Sequence, residues 1–499
     1  MRKISFLIAV ILTGILTITV VEKGSIRTVT VFCTSDEHGY LEPVQEKTKS
    51  CGGAANTMAD LRQRGYAPDG DESLLLSGGD MWAGPAVSSR FEGISTVQVM
   101  NAMGYDAAAI GNHEFDYGQG RLRTNESASD FPFLSANIIE TRTGKPPDYA
   151  QPYVIKEVNG VKTAVIGLSG TFIPYIVLPS SVVNLEFTDY EAALRKTVPR
   201  ARSEGAELIV VVAHVCPEDL RKLAPVASEL SIPLLAGGHC HTQENFEQDG
   251  VRIIGAGSHL KTFARVDITM DTGTGKVLKT AAELIPVEYS PGTDDIPPDA
   301  AINAIVSEWS AKIEKELGGV IGYTETGIEK GWPLFNLLVD SWLWAYPDAD
   351  IAISNFGGYR EAIPPGEIKR SDIVATWPFN NVLIEVELTG RQVADNLECC
   401  GGTVAGITYE KSGDRLIVKL KDGSPFDPET TYRVLVNSYI YEGGEKYLFS
   451  KQNPDGHAIQ TNFRNPVIDW ILSRQTSRER PLETFLDGTP RGPSPRLKP

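Results

Sequence analysis

The chain is poor in positive charge. Across 499 residues there are 47 Lys and Arg against 64 Asp and Glu, a formal charge of −17, and no basic patch interrupts the acidic balance. Such a field repels phosphate backbones, so a nucleic acid polymer is excluded as the expected partner. Internal repeats and low-complexity tracts are absent, which excludes a solenoid or an extended disordered chain. Only one long apolar stretch occurs, Ile4 to Val21 behind Arg2 and Lys3, so a polytopic membrane protein is excluded. No Ala-x-Ala site follows it. Segment 1–23 is therefore expected to be a signal peptide or an uncleaved N-terminal anchor, the one route to a membrane tether. The segment 487–499 is polar and Pro-rich, which excludes a glycolipid anchor and reads as a tail. These features imply an extracytoplasmic protein: periplasmic, secreted or at the cell surface. Cysteines are few as well; the six permit disulfides in an exported chain, but the sequence cannot choose a pairing, and several are expected to be free and buried.

A chain of this length exceeds what one core organises, so two substantial domains are expected. From Arg27 to about Pro286, short apolar runs alternate with helix-like stretches, the pattern of an α/β domain over 27–289. Turn residues crowd Ser290–Asp299, and Ile302, Ile305, Trp309 and Ile313 then recur at helical spacing, giving a linker and connecting helix over 290–319. Longer strand-like runs, Val382–Leu388 and Tyr432–Val436, mark a second, α+β domain over 320–486.

Five apolar runs end in residues that bind metals. Val29–Phe32 leads to Asp36 and His38, Leu74–Leu76 to Asp80, and Ala107–Ile110 to Asn112, His113, Glu114 and Asp116. Leu208–Val212 leads to His214, and Ile232–Leu235 to His239 and His241. Loops at the carboxyl ends of strands converge on one crevice in open α/β sheets, so these side chains are expected to meet. A single such Asp is usually a turn or capping residue, and a single His a satisfied core or surface group. Five together, with glycines before Asp80, Asn112 and His239 to let the backbone crowd a compact site, point instead to a divalent-metal centre. Bound cations would also let so acidic a protein handle phosphate. Cys240, between two candidate ligands, reads as a backbone spacer.

This ordered set resembles that of the calcineurin-like metallophosphoesterases. The stretches Gly111-Asn-His-Glu-Phe-Asp-Tyr-Gly118 and Cys51-Gly-Gly-Ala-Ala55 resemble the 5′-nucleotidase branch. The resemblance implies a four-layer αββα sandwich followed by a nucleotide-binding α+β domain, and two divalent ions (Zn, Mn, Mg or Co). By it, Asp36, His38 and His241 hold one ion, Asn112, His214 and His239 the other, and Asp80 bridges them. His113 and Asp116 correspond to the family's catalytic dyad.

In the second domain the resemblance implies a nucleoside pocket. Asn355-Phe-Gly-Gly-Tyr-Arg360 corresponds to the family's Asn-x-Gly-Gly-x-Arg, with Asn355 near the base and Arg360 on phosphate. Phe379 and Tyr439 would stack on the base and Glu445 would accept from ribose hydroxyls. The chain departs from pattern at Tyr439, where Phe is usual, and at Gly443-Gly-Glu-Lys-Tyr447, where Gly-Gly-Asp-Gly-Tyr is usual. The upstream phosphate-binding arginine is missing, with Lys330 the nearest cation. The implied activity is hydrolysis of nucleoside 5′-monophosphates for salvage. UDP-sugars, cyclic nucleotides, thiosulfate-type substrates and a catalytically inactive binding protein are the alternatives. Metal identity and oligomeric state lie beyond the sequence.

Overall fold

The computed structural model describes residues 25–46, 48–289, 296–413 and 415–493. The signal or anchor segment, the first part of the linker and the last six residues lie outside the described residues. Among the described residues, no helix is long and apolar enough to cross a membrane.

Alternation along buried strands builds the N-terminal body. In Ile26–Thr34, Val29, Val31 and Cys33 face one core while Phe32 faces another. Leu208–His214 does the same, with Leu208, Val210 and Val212 on one side and Ile209, Val211 and Ala213 on the other. A strand with apolar residues on both faces must be covered on both. Two six-stranded sheets solve this by packing face to face. One contains Ile26–Thr34, Ser73–Ser77 and Ala107–Ala109 as parallel neighbours, and the other Val161–Ser169, Leu208–His214, Leu234–Gly237 and Val251–Ala256. Helices Ala54–Gln63, Ile94–Met103 and Ala300–Leu317 cover the first sheet, and Tyr190–Ser203 and Ala224–Glu229 the second. The result is the expected four-layer αββα sandwich.

Helix Ala300–Leu317 is capped by the Asp299 carboxylate, which accepts from the Ala301 and Ile302 amides at 3.0 and 3.1 Å. Its buried face, Ile302, Val306, Trp309 and Ile313, joins the core of the first sheet's outer layer. The C-terminal body centres on a five-stranded sheet ordered Thr403–Ala405, Ile351–Ser354, Thr431–Asn437, Val382–Thr389, His457–Asn462. Helices Trp332–Ala345 and Asn465–Arg474 pack on one face and Gly390–Cys400 on the other.

The segment expected to be a polar tail is anchored as far as Arg491. That guanidinium is 5% exposed and grips both oxygens of Asp340 at 2.6 and 2.7 Å, Asp487 at 2.8 Å and the Val404 carbonyl at 3.1 Å. Arg491→Ala should lower unfolding stability by about 1.5–3 kcal/mol, the scale of hydrogen bonds to charged groups, read as a shift of the urea midpoint at unchanged slope. Of the six cysteines, Cys216–Cys240 and Cys399–Cys400 are paired and Cys33 and Cys51 are free and buried.

Candidate metal centre and substrate cleft

Asp36, Asp80, Asn112, His214 and His239 all lie at or just past the carboxyl ends of parallel strands, three from one sheet and two from the other. The backbone there is bent sharply. Asp36, His38, Asp80, His239 and His241 have φ of +51°, +47°, +56°, +71° and +56°, a region that disfavours any residue with a Cβ. Gly111 must lack a side chain, because a Cβ there would lie 2.3 Å from Asp80 Oδ1. Two buried glutamates brace the turns. Glu114 accepts from the amides of Asp80, Met81 and Gly111 at 2.6–2.9 Å, and Glu37 accepts from Thr34 at 2.5 Å and Ser77 at 2.8 Å.

The donor atoms converge as a shared cation requires. His214 Nε2 lies 3.1 Å from both Asp80 Oδ2 and Asn112 Oδ1, and His239 Nδ1 lies 3.1 Å from Asn112 Oδ1. Ligands about 2.0–2.2 Å from one ion stand roughly 3.0–3.5 Å from each other, so these spacings fit. On the other side, His38 Nε2 and His241 Nε2 face each other at 3.0 Å, with Asp36 Oδ1 at 4.0 and 3.5 Å from them. Asp80 groups with His214 and His239 in one direction and with His38 and His113 in the other, as a bridging carboxylate would.

Tautomers agree with this. His214 Nδ1 is 2.9 Å from the Gly78 carbonyl and His38 Nδ1 is 3.3 Å from the Trp82 carbonyl. Carbonyls only accept, so the ring protons sit at Nδ1 and each Nε2 presents a lone pair. Burial drives His38 well below the usual imidazole range and His239 down to about 4, keeping both neutral. His214 differs: burial opposes its charge, yet Asp80 raises it to about 10. The buried carboxylate demands a positive partner.

The dyad residues meet beside this cluster. His113 Nδ1 lies 2.6 Å from Asp116 Oδ2, which leaves Nε2 3.9 Å from Asp80 Oδ2. Burial works against protonating His113, but Asp116 and Asp80 outweigh it and the net shift is upward. The C-terminal body closes over the dyad. Arg360 Nη2 is 3.4 Å from His113 Nε2, and the Phe379 ring stacks on the imidazole with centroids 6.2 Å apart. Tyr439 reaches the N-terminal body, its hydroxyl donating to the Ile176 carbonyl at 3.0 Å. Asn355 Nδ2 donates to Glu445 Oε1 at 2.7 Å, so these two expected substrate residues touch. Lys330 donates to the Arg360 carbonyl at 3.2 Å, which ties it to the main chain of the arginine it was expected to assist. Arg464 holds the Phe379 loop through the Trp377 and Phe379 carbonyls at 2.6 and 3.1 Å.

The sequence reading missed His259. Its ring stacks on Tyr40 at 3.8 Å and groups with His38 and His241, and Tyr40 in turn donates to Glu361 of the C-terminal body. The signal was of the kind already used, since Val251–Ala256 runs into Gly257-Ser-His259. Cys240 is also more than a spacer, being joined to Cys216.

A family model, the 5′-nucleotidase C-terminal domain, matches residues 320–451. The protein UshA of Escherichia coli is 27% identical over 523 residues that span 93% of both chains. The chain belongs to the 5′-nucleotidase family. Another relative, Endonuclease YhcR of Bacillus subtilis, is 29% identical over 412 residues, 75% of this chain. This 5′-nucleotidase family member spans only 33% of that relative's length, and 32% of the B. subtilis trifunctional nucleotide phosphoesterase YfkN. Its fold matches the crystal structure of the 5′-nucleotidase precursor from Thermus thermophilus, with TM-score 0.78 and 24% identity over 93% of this chain and 99% of the other.

Proposed function

We propose that the protein is an exported two-metal phosphohydrolase that converts nucleoside 5′-monophosphates to nucleoside and phosphate. The observation that carries this reading is the His113–Asp116 pair, whose free Nε2 faces both the Asp80 cluster and Arg360 of the second body. Asp36, His38, His241 and Asp80 would hold one divalent ion, and Asp80, Asn112, His214 and His239 the other. Such ions, when bound, supply an activated water at neutral pH and neutralise phosphoryl oxygens. The protein's own groups do the rest. Asp116 fixes the Nδ1 proton, so His113 holds or moves a proton only at Nε2, where the departing oxygen of the ribose would lie. Arg360 brings a planar fork to the phosphate. An extracytoplasmic location is supported by the apolar stretch Ile4 to Val21 and by the disulfide Cys216–Cys240, which persists in oxidising compartments.

Nucleoside recognition has a direct test. Phe379 and Tyr439 would contribute roughly 1–3 kcal/mol per stacked base. Phe379→Ala or Tyr439→Ala should therefore raise KM for AMP about 5- to 100-fold and leave hydrolysis of phenyl phosphate nearly unchanged. Glu445→Gln should weaken ribonucleotides more than 2′,3′-dideoxynucleotides, because only the former offer hydroxyls to its carboxylate. Equal losses on phenyl phosphate would remove the nucleoside from the reading and favour another phosphate ester.

A further inference from the structure

A covalent bond joins two of the loops that carry candidate ligands. Cys216 lies two residues beyond His214, and Cys240 stands between His239 and His241; the pair closes a separation of 24 residues. The strands behind these loops, Leu208–His214 and Leu234–Gly237, are in register only at Val211↔Leu235 and Val212↔Ala236. Past their ends the backbone link is the Gly238 amide on the Val215 carbonyl at 3.1 Å.

The two loops differ in how firmly they are held. His214 is fully buried and pinned through Nδ1 to Gly78, whereas Cys240 and His241 are exposed and both flanking histidines sit at positive φ. On the exposed side, the His239 amide donates to Asp36 at 3.0 Å and the Phe172 ring packs on the His239 imidazole at 4.2 Å. Asp36 is itself a candidate ligand, so that hydrogen bond orients the loop toward the site without tying it to the His214 strand. The disulfide makes that tie, one residue from His239 and one from His241.

We propose that the Cys216–Cys240 disulfide is a positioning element of the metal centre, holding His239 and His241 in register with His214, so that opening it weakens the grip on metal. This rests on the two-ion reading above. The opening step is thiol–disulfide exchange with a dithiol. One thiolate of the reductant attacks a sulfur of the pair and forms a mixed disulfide; its second thiol then displaces the remaining cysteine. Two electrons and two protons pass to Cys216 and Cys240, and the reductant leaves as its own disulfide. Cys240 is exposed, so a reductant can reach it.

Linkage supplies a readout that a merely structural bridge would not move. If the disulfide favours metal binding, bound metal must favour the disulfide by the same factor. Groups that orient ligands typically change metal affinity 10- to 100-fold, and tenfold is about 30 mV for a two-electron pair, so metal should lower the pair's midpoint potential by about 30–60 mV.

The experiment equilibrates the full chain in dithiol redox buffers with and without Mn²⁺, a hard ion to which freed thiolates add little. Alkylation and peptide mapping then follow Cys216–Cys240 separately from Cys399–Cys400. The expected result is a potential lowered by Mn²⁺ for the first pair alone, together with a Mn²⁺ dissociation constant raised 10- to 100-fold in Cys216→Ser/Cys240→Ser. Mn²⁺ uptake with an unmoved potential overturns the inference and leaves the two-ion reading standing. A native protein that takes up no Mn²⁺ overturns both.

Discussion

Replacing Asp80 by Ala is expected to reduce phosphate release to the uncatalysed background and to strip divalent metal from the protein. Both carboxylate oxygens are committed: Oδ1 accepts the His113 amide at 2.8 Å, while Oδ2 faces His214 at 3.1 Å and His113 at 3.9 Å. Burial raises the cost of its charge, yet the imidazoles of His214 and His113 hold its carboxyl well below the usual range, so it is anionic whenever the protein is folded. No other acid stands between the two halves of the cluster. Asp80→Asn keeps the shape and the accepting oxygen and removes only the charge, so it should share the loss. Elemental analysis beside a phosphate-release assay reads both effects. Native metal content with a native rate in Asp80→Asn would show that no ion is bridged there.

The second large effect is expected at His113. His113→Ala should lower turnover by roughly two to four orders of magnitude, the range for loss of a placed general acid, while metal content stays near native. Asp116→Asn should be milder and should also move the pH profile. The carboxylate raises the His113 pKa by favouring the imidazolium, so removing its charge makes the proton leave at lower pH. The basic limb of kcat against pH is therefore expected to shift acidward. An alkaline shift, or metal loss in His113→Ala that resupplied metal cures, would make His113 a ligand.

Much of this site could be read from the chain because its parts are local. An apolar run followed by Asp, Asn or His announces a strand end, and each of the five runs does end at the cluster. What the runs could not reveal was their division between two sheets, since a strand buried on both faces reads the same whichever sheet it joins. His259 escaped because Arg252 interrupts the apolar run before it. Glu37 and Glu114 escaped for a different reason: each is a neighbour in sequence of a candidate ligand, but its hydrogen-bond partners come from other loops. The same non-locality hid the Cys216–Cys240 pairing and the docking of Arg491 onto Asp340, neither of which has a periodic signature.

The central claim is that this cleft uses bound divalent metal to hydrolyse a nucleoside monophosphate. It is tested most directly by following phosphate released from AMP by the purified chain before chelation, after it, and after resupply of Zn²⁺, Mn²⁺, Mg²⁺ or Co²⁺ in turn. The account predicts turnover that disappears with the metal and returns with at least one of these ions. Full turnover of AMP by the metal-free chain would contradict it.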